Sequence, residues 1–168
     1  SWYNYIIHPA DRVKTHIAYE RVILNDVIEF AKFETGVKKV GVAGCSFGGY
    51  HAANLAFRHP DKVGYLFSMG GAFDIRQFIH GYYDDECYFN NPTDYLPNLN
   101  DAWYLNHIKE MGIVLGTGEW DICLDENRRL SQILSAKGIE HWLDVRPGTG
   151  HDWNWWKEMF PEYLNKIG

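Results

Sequence analysis

The sequence predicts an α/β protein in which a mostly parallel sheet is flanked by helices. From residue 38 onward, short apolar runs of strand length alternate with segments of helical periodicity, which is the pattern of successive βα units. The composition, with 46% hydrophobic and 23% charged residues among 168, is that of a folded globular chain. We therefore expect a single domain over residues 1–168.

The first half of the chain is predicted to form a helix, a strand and a second helix. Over 11–34, apolar residues recur every three to four positions, as on one face of a helix, and Gly36 is placed to end it. The apolar run at 38–43 predicts a buried strand. A helix rich in alanine follows over 50–59, and Pro60 ends it.

The second half continues this alternation. Apolar runs predict further strands at 63–69, 112–116 and 141–146. Helical patterns predict a helix over 123–137 and a last helix that begins at Trp153.

The connection over 72–108 differs from the rest because it is long, polar and aromatic. Long connections of this kind are more often functional than idle. We expect it to fold over the mouth of a site as a lid that contains short helices. Tyr82, Tyr83 and Trp103 are its candidate substrate-binding residues.

Composition and charge exclude several classes of function. The net charge of −6, without a block of Lys and Arg, argues against nucleic-acid binding, and no run of eighteen apolar residues predicts a membrane span. The three cysteines are far apart and form no CxxC pair, so we expect no metal site and a reducing, cytoplasmic setting. The first residues lack the pattern of a signal peptide.

A candidate nucleophile follows the first predicted strand. Residues 44–48 match G-x-S-x-G, in which a serine occupies a sharp turn between a strand and a helix. We expect the turn to strain Ser46 and lift its hydroxyl above the sheet, with Gly44 and Gly48 removing Cβ atoms that would clash. The Phe47 N–H is then placed to stabilise an oxyanion. The alternative is a glycine-rich turn without chemistry.

A serine hydroxyl needs a general base, and the base needs an orienting acid. His151 follows the last strand, at the carboxyl edge where open α/β sheets bind ligands, and is the candidate base, with His80 as the alternative. The candidate acid is Asp121, in the loop after the third strand. Glu119 and Asp125 are the alternatives. The chain order serine, acid, histidine is that of α/β-hydrolases.

These motifs resemble those of the putative-esterase family of α/β-hydrolases, which includes feruloyl and acetyl-xylan esterases, S-formylglutathione hydrolases and mycolyltransferases. The resemblance rests on Ser46 in GCSFGG, Asp121 in LGTGEWD and His151 in PGTGHDW, and it covers about residues 10–168. It implies a nucleophilic serine, an orienting aspartate and a basic histidine, with the Phe47 amide as one oxyanion donor. No cofactor is implied.

Members of that family have further strands before the helix that begins here near Asp11. The resemblance therefore implies the C-terminal portion of an α/β-hydrolase sheet, with the front strands and their oxyanion donor missing. Right-handed crossovers place the 38–43 strand at one side of the sheet. A bare edge strand exposes unpaired N–H and C=O groups, so we expect a second chain or a missing N-terminal segment to pair with it.

The sequence thus predicts a serine hydrolase that cleaves a small-molecule carboxylic ester through an acyl-enzyme. An acyltransferase is one alternative, because an alcohol can replace water in the second half-reaction at the same three residues. A non-catalytic binding or assembly module of hydrolase fold is the other, and the missing front strands favour it.

Overall fold

A four-stranded parallel sheet forms the centre of the molecule, in a computed structural model that describes residues 2–167. The strands are β1 (Val40–Cys45), β2 (Val63–Met69), β3 (Gly112–Gly118) and β4 (Trp142–Arg146). They lie in the order β1-β2-β3-β4, and every neighbouring pair is parallel. The prediction of a parallel sheet in sequence order is confirmed. The first strand starts two residues later than predicted, because its ladder with β2 begins at Val40.

Helices precede the sheet and connect its strands. They are α1 (Pro9–Val22), α2 (Glu29–Thr35), α3 (Phe47–Arg58), α4 (Asp85–Tyr88), α5 (Pro92–Asn98), α6 (Ala102–Lys109), α7 (Leu124–Ala136) and α8 (Trp153–Ile167). A π-helical turn at Ile23–Ile28 joins α1 and α2 into one long helix. Gly36 ends it with a φ of 72°, as the sequence predicts. No helix in the described part of the chain has the length and apolarity that a membrane span requires.

The helices cover both faces of the sheet. On one face, α3 and α5–α7 bury the largest apolar cluster, which includes Phe57, Leu66 and Leu115. On the other face, α8 packs against β2 and β3 through Met159 and Tyr163. All four strands end at the same edge, so the loops that follow them converge there.

The segment over 72–108 packs largely into the helical layer, and its role as a lid stays a prediction. After a 3₁₀ turn at Ile75–Phe78, its helix α5 packs against α7 and α3, and α6 packs against α3. Leu96 and Ile108 are fully buried in the main core. These apolar anchors draw the segment onto the side of the sheet, and only its beginning reaches the carboxyl edge.

Candidate active site

Ser46 occupies the tight turn between β1 and α3. Its φ of 54° and ψ of −122° lie in a region that residues with a Cβ rarely adopt. The Ser46 N–H donates to the carbonyl of Met69 at 2.8 Å, and the Ser46 carbonyl accepts from the N–H of Gly49 at 3.0 Å. These bonds fix the strained backbone, so the hydroxyl stands at the carboxyl edge of the sheet.

The glycines around Ser46 have unequal roles. A Cβ on Gly44 would lie 2.1 Å from the carbonyl oxygen of Gly48, so no other residue fits at position 44. A Cβ on Gly49 would lie 2.4 Å from the Ser68 Oγ. A Cβ on Gly48 would meet nothing within 4 Å, which corrects the expectation that both motif glycines avoid a clash. The steric requirement therefore falls on Gly44 and Gly49.

Three side chains from distant parts of the chain form one hydrogen-bonded series at this edge. The Ser46 Oγ lies 2.8 Å from Nε2 of His151, and Nδ1 of His151 lies 2.8 Å from Oδ1 of Asp121. A carboxylate can only accept, so the His151 tautomer that fits carries its proton on Nδ1. Nε2 is then free to accept the serine proton.

The carboxylate of Asp121 is buried and is held through one of its two oxygens. Its Oδ1 also accepts the N–H of Cys123 at 2.7 Å, while its Oδ2 is buried without a hydrogen-bond partner. A Cβ on Gly70 would lie 2.7 Å from this Oδ2 and 3.1 Å from Nδ1 of His151. Gly70, with a φ of 59°, thus leaves room for the acid–base pair. Gly70 belongs to none of the predicted motifs, although its place directly after β2 is a signal in the sequence.

The imidazole of His151 also rests on an aromatic ring that the sequence analysis missed. Trp156, one turn into α8, meets it edge-on, with ring centroids 4.9 Å apart and an interplanar angle of 90°. The exposed Trp153 packs on Trp156 in turn, at 5.3 Å. The start of α8 therefore supports the ring orientation that both hydrogen bonds of His151 require.

Phe47 is the first residue of α3, so its N–H has no acceptor within the helix and lies at the positive end of the helix dipole. Its side chain is held in an aromatic cluster, with centroids 5.2 Å from Tyr3 and 5.0 Å from Tyr50 and Phe78. Tyr3 and Phe78 were also missed, because neither belongs to a motif. Both rings pack against the side chain of Phe47, the residue that follows the serine.

Comparison with known protein families assigns the chain to a family. Residues 8–167 match the family described as Putative esterase. The chain belongs to this family. A comparison with curated protein sequences finds no significant match.

Solved structures share the fold of this esterase-family chain. A ferulic acid esterase is 21% identical, with a TM-score of 0.72, and the match covers 89% of this chain and 59% of that one. An S-formylglutathione hydrolase from Staphylococcus aureus is 16% identical, with a TM-score of 0.58 and coverage of 90% and 64%. The feruloyl esterase module from Clostridium thermocellum is 16% identical, with a TM-score of 0.63 and coverage of 87% and 56%. The chain thus spans less than two thirds of the length of these proteins.

The alternative acids and base stand outside the hydrogen-bonded series of this esterase-family site. Glu119 accepts the N–H of Gly148 at 2.9 Å through Oε2. Asp125 lies within α7, is almost fully exposed and pairs with Arg128 at 3.7 Å. His80 is an exposed residue of the 72–108 segment, with a φ of 49°.

The three candidate substrate-binding residues are not equally placed. Tyr82 packs in the same apolar cluster as Phe47, and its hydroxyl donates to Asp84 at 2.5 Å. The Tyr83 hydroxyl donates to Asp94. These hydroxyls are therefore engaged within their own segment, and a substrate role for either tyrosine stays a prediction.

A substrate role for Trp103 also stays a prediction, and this residue lies in another part of the segment. It stands on α6 beside Tyr104, at a ring distance of 4.8 Å. Tyr104 lines a cavity of about 440 Å³ with Phe57 and Arg58, which belong to the last turn of α3. A helix of this length spans roughly 18 Å, so the cavity lies at the end of α3 opposite Ser46.

One group of described residues has the chemistry of a metal site. Ligand atoms of Asp121, Cys123 and His151 lie within 4.8 Å of one another. Burial, together with the charges of Glu126 and Asp121, raises the pKa of the Cys123 thiol to about 12, so this thiol is protonated at neutral pH. Asp121 and His151 are bonded to each other. We therefore assign these two side chains to the hydrogen-bonded series rather than to a metal.

Proposed function

We propose that this protein is a serine esterase that cleaves a carboxylic ester through an acyl-enzyme. The observation that carries the proposal is the series of two 2.8 Å contacts that links Asp121, His151 and the strained Ser46. Membership of the esterase family, and the fold shared with proteins named as esterases, support it.

In the first half-reaction, the Ser46 Oγ attacks the ester carbonyl carbon while Nε2 of His151 accepts the hydroxyl proton. The carbonyl oxygen becomes an oxyanion that the Phe47 N–H stabilises. The bond to the leaving alkoxy group then breaks, and His151 transfers its proton to that group. An alcohol leaves, and the acyl group remains bonded to Oγ.

In the second half-reaction, water replaces the alcohol. His151 accepts a proton from the water, whose oxygen attacks the acyl carbon. The bond to the Ser46 Oγ breaks, His151 returns the proton to Oγ, and a carboxylic acid leaves. Asp121 accepts the hydrogen bond from Nδ1 throughout and stabilises the imidazolium that forms in each half-reaction.

Covalent labelling tests the proposal directly. A fluorophosphonate probe should label the folded chain at Ser46, and Ser46→Ala should abolish both labelling and hydrolysis of a chromogenic acetate ester. Ser68→Ala, which removes a buried hydroxyl outside the hydrogen-bonded series, is the matched control and should keep the label. Failure of the folded wild-type chain to label would overturn the proposal.

A binding or assembly module is the second candidate, and the outer edge of β1 favours it. Within residues 2–167, β1 pairs only with β2, and Gly41 and Ala43 are exposed. We propose that a strand from a second chain, or from a polypeptide segment outside residues 1–168, pairs with this edge. A folded chain that assembles through β1 but does not label at Ser46 would support the module. An acyltransferase differs from the esterase and from the binding module. The probe would label it at Ser46, and it would transfer the acyl group to an added alcohol.

A further inference from the structure

The loop that carries the base is tied to the loop that carries the acid. We call residues 119–123, between β3 and α7, the acid loop, and residues 147–152, between β4 and α8, the base loop. The N–H of Glu119 donates to the carbonyl of Arg146, and the N–H of Trp120 to the carbonyl of Thr149, each at 2.9 Å. These main-chain bonds continue the pairing of β3 and β4 beyond the strand ends.

The Glu119 side chain adds a link that the main chain does not supply. Its Oε2 accepts the N–H of Gly148 at 2.9 Å. Gly148 is exposed, with a φ of 70°, and begins the part of the base loop that ends at His151. Apart from the bond between Asp121 and His151, this is the side-chain hydrogen bond that joins the two loops among the described residues.

We propose that Glu119 is a positioning residue, which holds the base loop in register with the acid loop so that His151 meets both Asp121 and Ser46. The inference rests on the proposed esterase function. Glu119 touches none of the reacting atoms and acts through the Gly148 N–H.

The hydrogen bonds of His151 tolerate only small displacements of the base loop. Both hydrogen bonds of His151 are 2.8 Å long, and each connects it to a different loop. A shift of the base loop by about 1 Å would lengthen at least one of them beyond a useful hydrogen bond. Misplacements of this size, caused by residues away from the chemistry, cost roughly 100-fold in rate.

Two substitutions distinguish a positioning role of Glu119 from an effect of its negative charge. Glu119→Ala removes the acceptor and should lower kcat for a chromogenic ester roughly 10- to 100-fold, with KM within about a factor of two. Glu119→Gln keeps an acceptor oxygen without the charge and should retain kcat within about threefold of the wild type. Glu140→Ala, at an exposed glutamate before β4, is the matched control and should leave kcat unchanged.

Either of two results would overturn the inference. One is a Glu119→Ala enzyme as active as the Glu140→Ala control. The other is a Glu119→Gln enzyme as impaired as Glu119→Ala, because the carboxylate charge rather than the hydrogen bond would then matter.

Hydrogen exchange gives a readout that does not depend on turnover. The Gly148 amide should exchange faster in Glu119→Ala than in the wild type, and the NMR signal of the His151 Nδ1 proton should broaden. An unchanged Gly148 exchange rate would count against the link. If the wild-type chain does not label at Ser46 but these signals change as described, the proposed function fails and the link between the loops stands.

Discussion

At the scale of single residues, the carboxylate of Asp121 decides which tautomer His151 adopts. Its Oδ1 accepts both the N–H of Cys123 and the Nδ1 proton of His151, while Oδ2 is buried without a partner. An asparagine at this position cannot accept both hydrogen bonds with the geometry that the carboxylate provides. Either its NH₂ group faces His151 and forces the proton onto Nε2, or it occupies the Oδ2 position and leaves a donor buried without an acceptor.

We therefore expect Asp121→Asn to fold and to lose on the order of 10⁴ in kcat, because Nε2 would carry a proton and could not accept one from Ser46. Steady-state hydrolysis of a chromogenic ester measures this loss. Asp125→Asn, at an exposed residue of α7, should keep wild-type kcat. An active Asp121→Asn enzyme beside an inactive Glu119→Gln enzyme would show that the acid is Glu119.

The composition of the candidate active site could be predicted in part from the sequence. Ser46, Asp121 and His151 each follow a strand, and parallel strands bring their carboxyl ends to one edge, so their proximity follows from position alone. Gly70 shares this position after a strand, but neither its role nor that of Trp156 follows from position alone. A glycine pair after a strand and a tryptophan in a first helical turn occur in many folds, and their roles come from distances that only tertiary packing sets.

At the scale of elements, strands and long helices follow from periodicity, whereas the 72–108 segment does not. Its helices are short, and its polar residues suggested exposure. The structure instead buries Asn90, Asn91 and Thr93, and Asn90 belongs to a hydrogen-bonded network under α1. There, Asn90 and Asn54 each lie within 3.3 Å of Nε2 of His16, and Asn90 also accepts from Asn54 at 3.0 Å. Buried polar groups that satisfy one another carry no signal in a hydropathy pattern.

His16 makes this network sensitive to acid. It is 2% exposed, and its Nδ1 is buried without a partner, so an added proton would find no acceptor. Burial and the neighbouring His51 lower the pKa of His16 to about 4, and Arg58 acts in the same direction. Glu20, at 4.0 Å, and the hydrogen bond with Asn90 oppose the shift.

The unfolded chain binds a proton at His16 below about pH 6.5, whereas the folded chain does so only near pH 4. The free energy of unfolding should therefore decrease as the pH falls through this window. The contribution of His16 to this decrease is on the order of 3 kcal/mol. Urea unfolding at pH 7 and pH 4.5 measures the loss. His16→Gln should reduce it, while His80→Asn, at an exposed site, should not. Equal pH dependence in the wild type and His16→Gln would contradict the assignment.

At the scale of the whole molecule, the surface beside β1 combines an unpaired strand edge with exposed aromatic rings. The ladder of β1 with β2 uses one edge of the strand, and its other edge has no partner among residues 2–167. Next to it, the long helix exposes Phe30 and Phe33 at 65% and 84%. An unpaired strand beside exposed aromatic rings is a template for pairing with another polypeptide.

We expect the isolated chain to associate through this edge as its concentration rises, and the amides of Val40–Cys45 to become protected from hydrogen exchange as it does so. Ala43→Lys places a charge on the exposed face of β1, where pairing would desolvate it without a partner. The dissociation constant measured by sedimentation velocity should therefore rise roughly tenfold or more. Val37→Lys adds the same charge outside the strand and should have a smaller effect. A chain that stays monomeric at every concentration, with its β1 amides exchanging freely, would show that a second copy of the chain does not pair there. The second oxyanion donor of the proposed esterase would then have to come from another polypeptide segment.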